Sequence, residues 1–159
     1  MQHTPLLMSK IIDRGAKVAP NEEIVTATEN GVRRQTYKET RDRAHQLAHA
    51  LSEAGIAVGD RVGTFMWNGS RHLEAYQACA GMGAVLHTLN IRLSEKDLEY
   101  IINHAEDQII IVDADILPLL EKLEGKMPTV RQVVIATEEG FEGWSTQLPN
   151  AVDYEDFIQ

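Results

Sequence analysis

From residue 61 onward, short apolar runs alternate with stretches in which apolar residues recur every three or four positions. The runs at 61–67, 84–89, 108–113 and 130–136 are apolar, too short for helices, and read as strands. The intervening stretches read as helices. The first covers about 70–80; the second opens at Ser94, where Ser94-Glu95-Lys96-Asp97 resembles a capping box, and continues through Leu98, Ile101, Ile102 and Ala105. A third carries Ile116, Leu119, Leu120 and Leu123, admits Pro118 in its first turn, and closes at Gly125 and Pro128. Right-handed crossovers between such strands predict an α/β fold with a doubly wound, mostly parallel sheet and helices on both faces.

Upstream, a helical stretch over 7–18 is broken at Pro20-Asn21, and 24–28 with 33–36 flank the turn signal Glu29-Asn30-Gly31, a β-hairpin. Thr36 and Glu39 form a capping box, after which Ala44, Leu47, Ala48 and Leu51 keep helical spacing until Gly55 stops it. The expected organisation is a single domain or lobe. An N-terminal helix and hairpin fill 1–36, a βαβ core 37–137, and a loop and tail 138–159. Gly140, Gly143 and Pro149 mark that last segment as loop, and Tyr154-Glu155-Asp156-Phe157-Ile158 opens a helix without room to finish, which reads as truncation, with a flexible native tail as the alternative.

A net charge of −9 opposes docking on nucleic acid or an anionic lipid surface. Cys79 is the single cysteine, so no intrachain disulfide can form and the sequence fits a reducing, cytoplasmic setting. No run of apolar residues is long enough to predict a transmembrane segment. Asn68-Gly69-Ser70 spells a glycosylation acceptor, but it follows a strand and precedes a helix and reads as a turn.

The search for chemistry returns little. Gly125-Lys126 lacks the Ser or Thr of a phosphate loop, and Gly81-Met82-Gly83 precedes a strand and reads as a helix stop. His45 and His49 have the one-turn spacing of a metal-binding pair, yet Gln46 stands where the zinc-protease pattern needs a glutamate. His72, His87 and His104 have no partner nearby in sequence. Asp113 and Asp115 follow a strand; capping of the next helix by the aspartate before Ile116 is the leading expectation, with a receiver-like phosphoacceptor as an alternative. Met66, Trp67 and Met82 would suit an apolar pocket but are expected in the core.

Several blocks resemble the N-terminal region of the adenylate-forming enzymes, in detail the long- and medium-chain fatty-acid CoA ligases. Thr36-Tyr37 with Glu39 resembles the entry to that family's first long helix, and Leu51-Ser-Glu-Ala-Gly-Ile-Ala-Val-Gly-Asp-Arg-Val62 its helix-to-strand passage. Arg71-His-Leu-Glu-Ala-Tyr76, Gly81-Met-Gly-Ala-Val-Leu-His-Thr-Leu-Asn90, Arg92-Leu93 and Tyr100-Ile-Ile-Asn-His-Ala-Glu-Asp107 are similar to the fatty-acid branch. The resemblance covers about 7–137 and implies part of the adenylate-forming fold. It also implies a two-step reaction: a fatty acid's carboxylate attacks ATP, with magnesium, to give acyl-adenylate and pyrophosphate, and CoA then displaces AMP. The family's phosphate loop, adenine motif and catalytic lysine lie downstream of this sequence, so no catalytic residue is carried over, no metal ligand is assigned, and none of these cofactors is expected bound to this chain alone. The turn near 87–92 lies towards the CoA side in relatives, which makes His87, Thr88, Asn90 and Arg92 the candidate cofactor-binding residues, with Arg92 either meeting a CoA phosphate or simply solvated or paired with Glu95. The expected partners are the remainder of the synthetase chain and a second copy of it. The alternative reading is a non-catalytic dimerisation or interaction module of the same fold.

Overall fold

The structure, a computed structural model, describes residues 5, 7–28, 31–138 and 143–159. Helix α1 (Ser9–Val18) leads into the antiparallel hairpin of β1 (Glu23–Thr28) and β2 (Gly31–Thr36), then α2 (Tyr37–Glu53). Glu29 and Asn30 of the expected turn, like Gly140 of the later loop, lie outside the described residues. The capping box forms as expected: Thr36 Oγ1 accepts the Glu39 amide and the Glu39 carboxylate accepts the Thr36 amide. Gly55, at φ +84°, makes the left-handed exit that a side chain would strain.

The core follows as β3 (Arg61–Phe65), α3 (Ser70–Met82), β4 (Val85–Thr88), α4 (Glu95–Ala105), β5 (Ile109–Asp113), α5 (Leu117–Glu121) and β6 (Gln132–Ala136). It ends in β7 (Val152–Asp153) and α6 (Tyr154–Phe157). All pairings in the five-stranded sheet are parallel, in the order β4-β3-β5-β6-β7. Strand alternation divides the core in two. Ile110, Val112, Val133 and Ile135 pack with Leu98, Ile102, Leu117 and Leu120 of α4 and α5. Ile109, Ile111 and Val134 pack on the opposite face with Leu47 and Leu51 of α2 and Ala75, Ala78 and Cys79 of α3. Each fully buried aliphatic side chain contributes roughly 1.5–3 kcal/mol. The helices on both faces match the expected doubly wound layout.

Three details differ from expectation. Helix α5 is a short piece that takes Pro118 in its first turn, as expected, but ends at Glu121, before Leu123 and Gly125. No side chain caps it, so Asp115 does not play the expected role; its carboxylate is taken by a tryptophan 48 positions upstream. The tail also joins the sheet. Tyr154, expected in an unfinished element, is fully buried against the α2 and α3 side, and β7 just before it is held by parallel pairing of Val152 and Asp153 with Val134 and Ile135.

Candidate functional site

In this strand order the chain leaves β3 towards one edge of the sheet and β5 towards the other, so their carboxyl ends diverge and leave a crevice. A cavity of about 850 Å³ opens there, within the range of small-molecule sites. Its walls come from the hairpin, the turn after β3, the first turn of α3 and the loops after β5 and β6. Gly69 permits the hairpin's close approach: a Cβ there would stand 3.3 Å from Thr26 Cγ2.

The turn 67–69 is clasped to the loop after β5. The Trp67 amide donates to Asp113 Oδ2 at 2.7 Å and the Trp67 indole to Asp115 Oδ2 at 2.8 Å. Met66 is buried in the core, as expected, and also lines the cavity, whereas Trp67 is 49% exposed on the cavity wall and so departs from the core position expected of it. Burial, aided by the charges of Asp115 and Glu138, pushes the Asp113 carboxyl up to about 6 against the pull of the Trp67 amide. His72 holds the other side of the turn. The Trp67 carbonyl can only accept, so His72 Nδ1 donates to it at 3.1 Å, and Nε2 accepts the Thr64 hydroxyl at 3.0 Å. Burial lowers the His72 pKa and favours this neutral tautomer.

An alternating chain of ions starts on the cavity wall, at Arg33, Glu138 and Arg71, and runs on behind it. Arg43 donates to Glu74 Oε1 and forks onto both Glu155 oxygens; Arg71 joins Glu155 to Glu138; Arg33 ends on Glu138 at 2.6 Å. Glu74 is fully buried and also accepts from Gln35 at 2.8 Å and the Tyr154 hydroxyl at 2.6 Å. The Arg43 pKa is raised by its bonds to Glu155 and Glu74, which outweigh the loss of solvent on burial. These contacts join the hairpin, α2, α3 and the tail.

Of the sequence candidates, Asn90 and Arg92 lie on the same rim beyond β4, whereas His87 sits within β4 and turns to Asp107, which precedes β5. His87, in edge strand β4, donates from Nδ1 to both oxygens of the fully buried Asp107, at 3.0 and 2.8 Å. Its path crosses β3 at Gly63, where a Cβ would come within 3.2 Å of Asp107 Oδ2. Burial raises the Asp107 pKa, with the His87 contact opposing. Thr88, the last residue of β4, and Asn90 and Arg92 after it are exposed, and Asn90 Oδ1 accepts the Arg92 amide at 3.0 Å. Glu95 pairs with Lys122 at 3.4 Å, so the expected pairing of Arg92 with Glu95 is not made. None of the four lines the cavity. His45 and His49 are exposed, beside Asp13 and Glu53. Among the described residues, no three His, Cys, Asp or Glu stand together as metal ligands. Sequence reasoning missed Asp107, Glu74 and Arg43, whose partners lie 20 to 112 positions away, beyond any local pattern.

Comparison with known proteins adds a consistent set of relatives. The chain is 43% identical over 145 residues to a long-chain-fatty-acid–CoA ligase of Thermus thermophilus, covering 91% of this chain and 27% of that protein. It is 36% identical over 159 residues to a medium-chain-fatty-acid–CoA ligase of Ectopseudomonas oleovorans, covering 99% of this chain and 29% of that one. The chain thus spans under a third of the length of these relatives. Among solved structures, a putative long-chain-fatty-acid CoA ligase from Rhodopseudomonas palustris superposes with a TM-score of 0.80 at 19% identity, over 99% of this chain and 37% of that one. The anthranilate CoA ligase AuaEII in complex with anthranoyl-AMP does so at 0.78 and 23%, over 99% and 28%, a likeness of fold. With residues 12–157 matching the family described as AMP-binding enzyme, nearly the whole length from α1 to α6, the chain belongs to the AMP-binding enzyme family.

Proposed function

We propose that this chain is the N-terminal part of an ATP-dependent fatty-acid CoA ligase, in which a carboxylate is adenylated and then passed to the thiol of CoA. The observation that carries this reading is the match to the fatty-acid CoA ligases over nearly all of the chain but under a third of their length. The isolated chain is inactive in this reading, since it contains no glycine-rich Ser/Thr phosphate loop. Its contribution is structural. The ion chain through Arg43, Glu74 and Glu155 and the clasp at Trp67 fix the loops at the carboxyl ends of the strands, the place where α/β sheets present ligands. In this reading the CoA side is at His87, Thr88, Asn90 and Arg92, with the exposed Arg92 as a partner for a phosphate of CoA. Magnesium, which the family resemblance implies, finds no ligand set among the described residues, so no step is routed through it. A cytoplasmic setting belongs to the proposal and rests on the acidic charge and the lone, buried Cys79.

The test is fatty-acid-dependent release of pyrophosphate from ATP and magnesium, with the 159-residue chain alone and with the chain extended by the rest of a ligase. Activity confined to the extended protein is the expected result. Acid-dependent release by the chain alone, surviving repurification, would overturn the claim of inactivity. A second reading, an interaction module between copies, is favoured by the exposed Leu7, Met8, Ile11 and Val18 on and beside α1. Light scattering decides it, because a strictly monomeric chain at high concentration removes that reading.

A further inference from the structure

The first turn of α3 opens onto the cavity without a cap. Gly69, at the N-cap, has no side chain to offer, and the Ser70 amide donates to Thr26 Oγ1 at 3.1 Å. The amides of Arg71 and His72 have no acceptor among the described residues. Ser70 lines the cavity, is 1% exposed, and its Oγ has no hydrogen-bond partner. A buried hydroxyl left unpaired costs about 1–3 kcal/mol, so this end of the cavity holds unmet hydrogen-bonding capacity.

Positive charge converges on the same place. Arg33 from β2 and Arg71 from α3 both line the cavity, and one carboxylate bridges them: Glu138 Oε2 accepts from Arg33 at 2.6 Å and Oε1 from Arg71 at 3.2 Å. Burial and the neighbouring Arg71 charge push the Arg33 pKa below its ordinary value. Arg71 is fixed by Glu155 and nearly buried, whereas the Glu138 side chain is 46% exposed and is the member of the bridge most easily displaced. The opposing carboxylates, Asp113 and Asp115, sit across the crevice after β5 and are engaged by Trp67.

We propose that the α3 end of the cavity binds a tetrahedral oxyanion, a phosphate group, which displaces the Glu138 carboxylate from Arg33 and Arg71 and takes up the free amides of Arg71 and His72 and the Ser70 hydroxyl. Helix N-termini favour anions through their free amides and dipole. A carboxylate offers two coplanar oxygens, whereas a phosphate directs acceptors towards the helix amides and the guanidiniums together. The cavity, at about 850 Å³, leaves room beside Met66, Trp67 and Ala114 for an organic group esterified to that phosphate. This site stands on the cavity geometry and not on the ligase reading, so either can fail without the other.

The experiment is an amide chemical-shift titration of the 159-residue chain, labelled with a magnetic nitrogen isotope, using inorganic phosphate, phenyl phosphate and acetate as separate probes. Inorganic phosphate should shift the Arg71 and His72 amides saturably with a dissociation constant on the order of millimolar. Arg33→Gln should weaken binding at least ~5-fold, and Glu138→Gln, which removes the internal competitor, should tighten it at least ~3-fold. Tighter binding of phenyl phosphate assigns the site to a phosphate ester, and equal binding assigns it to free phosphate. Acetate should bind more weakly than both. Absence of a saturable shift at Arg71 and His72, unchanged binding in Arg33→Gln, or weaker binding in Glu138→Gln in a variant with an unaltered circular dichroism spectrum would overturn the proposal.

Discussion

Replacing Asp113 by asparagine should stabilise the chain near neutral pH. Asp113 is held mostly out of water, and its pKa rises from the ordinary 3.8 to about 6, first because burial disfavours the anion and then because Asp115 and Glu138 repel it. The sign follows from proton linkage. Between the two values the folded state binds more protons than the unfolded state, so stability falls as pH rises through this window and the full penalty is present above about 6. A rise of about two units at 1.36 kcal/mol per unit gives a penalty of roughly 3 kcal/mol near pH ~7.5, shrinking to about 1 kcal/mol near pH ~4.5. Asparagine keeps an oxygen for the Trp67 amide, which Asp113 now accepts at 2.7 Å, and loses the charge. Some of the gain is offset by the new amide group, so an increase of about 1–3 kcal/mol at neutral pH is expected, or several degrees in melting temperature. Urea unfolding followed by circular dichroism at both pH values measures it. Asp107 also titrates with a raised pKa, but it is present in both proteins and cancels in the difference. A variant no more stable than the parent at neutral pH, or a stability difference independent of pH, would refute the assignment of Asp113 as a desolvated carboxylate.

Three further substitutions probe the packing. Glu74→Ala removes the buried acceptor shared by Arg43, Gln35 and Tyr154 and should cost about 3–5 kcal/mol in urea unfolding; a loss under ~1 kcal/mol would contradict the network's place in the fold. Gly63→Ala places a methyl 3.1 Å from Ile110 Cγ1 and 3.2 Å from Asp107 Oδ2. It should destabilise by about 1–3 kcal/mol and disturb the His87 ring resonances, and a silent variant would show that His87 does not need that clearance. Leu47→Ala, in the fully buried layer between α2 and the sheet, should lower stability by about 2–5 kcal/mol, with an unchanged unfolding midpoint as the contrary result.

Local signals carried most of the architecture. The capping box at Thr36 and Glu39, the stop at Gly55 and the period change between strands and helices each reflect interactions within a few residues, and each is present in the fold. The failures share a cause. Asp115 stands in front of a helix, where sequence logic assigns it to capping, but a tryptophan brought alongside by parallel pairing of β3 and β5 offers one donor to it and another to Asp113. Likewise Val152–Asp153 is too short to show a period, and its place in the sheet depends on β6 being exposed to receive it. Arg43 and Glu155 are 112 positions apart, and only the completed sheet makes them neighbours.

The parallel sheet has a consequence for where function can sit. Because β3, β4, β5 and β6 run the same way, the loops that follow them emerge on one rim, at Trp67, Asn90, Asp113 and Thr137. The rim is divided by chemistry. On the outer side, Asn90 and Arg92 are exposed and held by little beyond one side-chain bond, which suits a surface that meets a mobile ligand. In the centre, Trp67 is tied by both its amide and its indole, Ser70 is enclosed, and Arg71 is forked between Glu155 and Glu138. That centre is preorganised: its charged groups are already oriented, so a ligand entering there loses little binding energy to ordering side chains. Strand order therefore explains why a well-organised polar site lies between β3 and β5, although the residues most recognisable in sequence lie in and beyond β4.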